Sequence, residues 1–119
     1  MATASVATQL KTGQDVVRQY EELLALSDQM IAEADAEDWE QLIADQVTYV
    51  SQVEALRAVE ADITLSDTQA KAKFAALRRI LEQDRDIRER LLNRREQLGR
   101  LLSQAGNQRK VARAYQAGA

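Results

Sequence analysis

The side chains that could carry acid–base chemistry in this sequence are carboxylates, lysines and arginines; its 119 residues contain no His and no Cys. Without them, Ser–His and Cys–His nucleophile pairs cannot be assembled. Zinc sites of the usual nitrogen–sulfur type lack ligands, and a disulfide framework is impossible. No Gly-rich phosphate loop, HExxH pair or EF-hand loop occurs. Asp84, Arg88 and Arg95 fall inside an otherwise apolar arc. They read as an i,i+4 ion pair and a long Arg reaching outward along its own stem. The sequence therefore predicts no catalytic residue, no metal and no cofactor. It describes a protein that holds other chains.

Charge is unevenly distributed. Residues 1–65 carry three basic side chains (Lys11, Arg18, Arg57) against 13 acidic ones, a net of −10. Residues 66–119 carry 13 basic against six acidic, a net of +7, and the whole chain is −3. Arg78, Arg79, Arg85, Arg88, Arg90, Arg94, Arg95 and Arg100 lie on one expected helix. They are distributed around it and interrupted by acids, so they read as a basic helix beside acidic ones rather than as a nucleic-acid surface. Met1 to Leu10 lack the basic start and apolar run of a secretory signal. No stretch of about 18 apolar residues exists to insert into a membrane. The cytoplasm is the expected compartment.

The elements follow from composition and spacing. There is no Pro and there are four Gly, and the dominant residues are good helix formers. The fold class expected is all-α, a single domain over residues 1–119. Helix one is expected over 10–34, its start anywhere from Ser5 to Gln14, with Val16, Tyr20, Leu23, Ser27, Met30 and Ala34 on one face. A break falls near Asp35–Asp38, where Asp38 caps helix two (39–61) with Gln41 three residues on. The apolar set of helix two includes Leu42, Ile43, Val47, Tyr49, Val50 and Leu56, and covers about half the circumference. That is wider than a surface helix needs, so one neighbour cannot cover both edges. Ser66 and Gln69 form a capping box for helix three (66–103). Its early core face is expected at Ala70, Phe74, Leu77 and Leu81, and its later one at Ile87, Leu91, Leu98, Leu101 and Leu102. Trp39 and Phe74 are both expected in the core. Gly106 is placed to end helix three in a left-handed cap. A short fourth helix (107–116) then has only Val111 and Tyr115 as apolar anchors. Short connectors predict an up-down-up antiparallel three-helix bundle, with the fourth helix folding back.

Two stretches resemble a known family. Asp38-Trp39-Glu40-Gln41-Leu42 with Val47-Thr48-Tyr49-Val50 is the first. Leu98 to Leu102 followed by Asn107-Gln108-Arg109-Lys110 and Ala114-Tyr115 is the second. They are similar to the flagellar type III export chaperones called FliT, and the resemblance covers nearly the whole chain. It implies a cytoplasmic bodyguard that binds the C-terminal segment of the filament-cap protein FliD and brings it to the export ATPase complex. Some members also bind the flagellar master transcription regulator. The resemblance further implies that the C-terminal helix masks the substrate groove. The residues expected to line that groove are Leu42, Tyr49, Leu98, Leu101 and Leu102, with Val111 and Tyr115 as the masking contacts and Gly106 as the hinge. No nucleic acid and no membrane insertion are expected. The alternative is a structural homodimeric coiled-coil or adaptor protein without a secretion substrate.

Overall fold

The computed structural model describes residues 12–118, and among them there are three helices and no strand. They are α1 (Gly13–Asp35), α2 (Trp39–Glu60) and α3 (Asp67–Gly118). The part of helix one expected before Thr12 lies outside the described residues. Each start is fixed by a side chain that satisfies amides left open by the first turn. The Thr12 hydroxyl accepts from the Asp15 amide at 3.2 Å while the Asp15 carboxylate accepts from the Thr12 amide at 3.0 Å. Asp38 accepts from the Gln41 amide at 3.4 Å. Ser66 and Gln69 exchange the reciprocal pair, at 3.1 and 2.9 Å. The caps expected at Asp38 and Ser66 are both present.

α1 ends in a Schellman turn. The Asp38 amide donates to the Glu33 carbonyl at 2.9 Å and the Glu37 amide to that of Ala34 at 3.1 Å. This places Glu37 at φ 57°, in the left-handed region that glycine takes without a Cβ clash.

The break expected at Gly106 is absent. α3 runs through it to Gly118, and no described glycine has positive φ. What was expected as a separate fourth helix is the continuation of α3. One interior Gly costs a helix only about 1 kcal/mol relative to Ala. A break would leave several carbonyls without partners, and no Pro follows to enforce one.

The chain divides into two compact units, one through Ile87 and one from Arg88. In the first, Val16, Tyr20 and Leu23 of α1 meet Leu56 of α2 and Ala76 and Ile80 of α3 in one buried cluster. All six positions expected on the inner face of α1, Val16 to Ala34, are buried. Pairs between α1 and α2 step in opposite directions: Tyr20 with Glu60, Gln29 with Asp45. Between α1 and α3 they step the same way, Gly13 lying beside Gln69 and Ser27 beside Gln83.

The inner face of α3 is rotated from the one expected. Ala76, Ile80 and Ile87 are buried, Leu77 is partly so, and Phe74 is 57% exposed, with Leu81 likewise outside. Ala76 lies in the buried cluster, and Gln83 on the same side finds Ser27. The bulkier Phe74 is left on the outer edge. Trp39 is half-buried at the first turn of α2. In the second unit the helix makes no core of its own.

Candidate partner-binding surfaces

Several polar groups buried in the first unit pair with one another and serve the fold, while one side-chain oxygen each of Glu33 and Gln46 is buried without a hydrogen-bond partner. The Tyr20 hydroxyl donates to Glu60 at 2.7 Å, and the Lys73 ammonium pairs with the same carboxylate. Lys73 also lies 5.4 Å from the ring centroids of both Tyr20 and Phe74, within cation–π range. Burial, and next the hydrogen bond to Glu60, push the Tyr20 hydroxyl far above its ordinary range. It therefore stays a neutral donor at any physiological pH. Arg57, Ile63 and Leu65 line a shallow cleft around this trio at the α2–α3 connector. Its central charges are already paired, so it clamps the connector.

On α1, the buried Ser27 hydroxyl donates to Gln83 at 2.5 Å, and the Gln83 amide donates to Asp28 at 2.6 Å. Further along, Gln29 donates to Asp45 at 3.1 Å beside Glu33. Burial first, then the hydrogen bond with Asp45, raise the Glu33 carboxyl above the usual carboxylate range. Among the described residues no group of three or more acidic side chains is gathered to hold a metal ion. No described helix is long and apolar enough to cross a membrane.

What remains is apolar surface. On α2 the edge at Ile43, Val47 and Val50 is uncovered, Val47 being 65% exposed. The opposite edge, Leu42 and Leu56, is buried. This is the two-edged helix that the apolar pattern required. In the second unit Leu92, Leu98, Leu101, Leu102, Val111 and Tyr115 are all exposed, Leu102 at 73% and Tyr115 at 78%. Isolated exposed leucines are ordinary, but a run of them along one helix marks a surface built for another chain.

The sequence-expected groove is thus distributed between two settings. Leu98, Leu101 and Leu102 are open on the second unit, as a docking surface requires. Leu42 is a core residue with no accessible surface, and Tyr49 is half-buried against the core cluster. Neither offers a side chain to a partner as it stands. The exposed large apolar residues of α2 are Ile43, Val47 and Val50. Val111 and Tyr115 are exposed, and Gly106 is interior to α3 with no heavy atom near its Cβ position.

Comparison with known proteins places this geometry. The family model described as "Flagellar protein FliT" matches residues 17–117. A flagellar protein FliT of Photorhabdus laumondii is 29% identical over 101 residues, 85% of this chain and 81% of its own. One of Yersinia pestis (strain Pestoides F) is 30% identical over 102 residues, 86% and 85% of the two chains. No solved structure matches significantly.

Proposed function

The chain belongs to the FliT family of flagellar proteins, and from that premise we propose that it is a cytoplasmic flagellar export chaperone. In this reading it holds the C-terminal segment of the filament-cap protein FliD and hands it to the export ATPase complex of the type III apparatus. The flagellar master transcription regulator is a further partner on the same model. The observation that carries the reading is the run of exposed apolar side chains from Leu92 to Tyr115 on a helix that has no catalytic group beside it. The contact pairs between α1, α2 and α3 support an up-down-up bundle in the first unit.

In the same reading, masking requires α3 to break at Gly106, where helix propensity is weakest, so that Val111 and Tyr115 turn back towards Leu98, Leu101 and Leu102. A chain ending at Gln104 would lack the mask. Calorimetric titration of the FliD C-terminal segment into the full chain and the truncated one tests both claims. Binding by the full chain, tightened by truncation, is the expected result. No binding by either form would remove the chaperone reading, and weaker binding by the truncated form would remove the mask. The alternative, a homodimeric coiled-coil protein, is favoured by the length of α3 alone. It predicts a stable dimer in sedimentation and no uptake of the FliD segment.

A further inference from the structure

Because α3 is continuous through Gly106, one heptad frame can be carried from the core of the first unit to the end of the second. The buried Ile80 and Ile87 continue at alternating spacings of three and four as Leu91, Arg94, Leu98, Leu101, Ala105, Gln108, Ala112 and Tyr115. That is the seam of a coiled coil. The rows flanking it are one-sided in charge. One row holds Arg88, Arg95, Leu102 and Arg109; the other holds Arg90, Gln97, Gln104 and Val111. The only acids of this unit, Glu89 and Glu96, fall on the outer side, away from the seam. A fifth arginine, Arg94, stands in the seam itself.

Flanking charges decide which helix a coiled-coil seam accepts and in what register. A second copy of this unit would set the Arg88–Arg109 row against itself in the antiparallel orientation and Arg95 against Arg90 in the parallel one. The exposed edge of α2 does not complement it either, since its flanking positions Ala44, Gln46 and Ser51 are uncharged. A nucleic acid would account for the arginines but not for the leucine row between them. We infer that the second unit is a docking strip for an acidic amphipathic helix. Such a helix carries apolar residues at heptad spacing with Glu or Asp flanking them to meet Arg95 and Arg109. The inference deepens the chaperone reading and rests on it only in taking this unit as a surface for another chain.

Arg88, Arg90 and Arg94 already engage neighbouring groups, so Arg95 and Arg109 are the positions to change. The probes are two designed peptides of three heptads with Leu at the seam, one flanked by Glu and the other by Lys. Each repels itself and stays monomeric at neutral pH. Titrated into the full chain, the Glu peptide should bind on the order of tenfold or more tighter than the Lys peptide, and added salt should narrow the gap. Arg95→Glu with Arg109→Glu should reverse the preference; Arg95→Gln with Arg109→Gln should only flatten it. Both changes are on exposed positions and leave the thermal melt unchanged. Equal binding of the two peptides, no binding of either, or a preference unmoved by the double reversal would overturn the inference. So would self-association through the seam, or tight binding of a duplex oligonucleotide with none of the Glu peptide. A parallel titration of the FliD segment separates the two claims. Uptake of that segment without charge preference sinks the acidic strip alone. Uptake of the Glu peptide without the FliD segment sinks the chaperone reading alone.

Discussion

α3 passes through two environments with the same kind of sequence. In the first unit its inner stripe, Ala76, Ile80 and Ile87, is buried against α1 and α2. In the second unit Leu98, Leu101 and Leu102 of the same helix are exposed. Apolar spacing therefore sets which face of a helix can be covered. Whether it is covered depends on the elements that the rest of the chain supplies. In the first unit α1 and α2 supply that cover.

The sharpest way to break this comparison is to remove a leucine from each region. Leu56→Ala opens a cavity in the buried cluster and should cost about 2–5 kcal/mol in urea unfolding. Leu101→Ala should stay within about 0.5 kcal/mol of the unchanged protein. Similar losses at the two positions would mean that the second unit contributes to the core. Phe74 sharpens the contrast within the first unit. Being mostly exposed, it should lose no more than about 1 kcal/mol on change to Ala in thermal melts, through its ring contact with Lys73. A loss in the full-core range would put it back inside.

Much of this was legible beforehand because local physics governs it. The α1 face, the caps at Asp38 and Ser66, and the two-edged character of α2 each follow from spacing or from one side chain reaching one amide. What was not legible depends on tertiary choice. The inner face of α3 offered two apolar arcs, and the one that is buried carries Ala76, Ile80 and the Ser27–Gln83 bond and leaves out Phe74. At Gly106 the residue type alone favoured a cap, but good helix formers on both sides hold the helix together. That misplaced break also hid the heptad frame that sorts the arginines. Of the residues expected to line a groove, Leu42 is buried, and Leu98, Leu101 and Leu102, whose spacing also suited a core face, are exposed.

Smaller effects test the ends of the first unit. Glu37 takes a left-handed conformation, so Glu37→Gly should raise stability by about 0.5–1 kcal/mol in denaturant titrations. A loss of stability would mean that its side chain matters more than its backbone. The Glu33 carboxyl, raised above the usual range by burial and by Asp45, gives the smallest effect. Its folded form prefers the proton more than its unfolded form does. The stabilisation it contributes is thus complete below the unfolded pKa and lost as pH rises through the folded one. Glu33→Gln should flatten the fall in melting temperature that accompanies this rise in pH, and an unchanged profile would clear Glu33 of it.

The central claim is that the apolar stripe of the second unit exists for a partner and not for the fold. Calorimetric titration of the FliD C-terminal segment into a Leu98→Ser, Leu101→Ser, Leu102→Ser triple variant, with its thermal melt taken alongside, tests that most directly. The account predicts a melt indistinguishable from that of the unchanged chain and binding weakened on the order of a hundredfold, as expected for losing several desolvated anchors. Undiminished binding, or a melt lowered as far as by a core leucine, would contradict it.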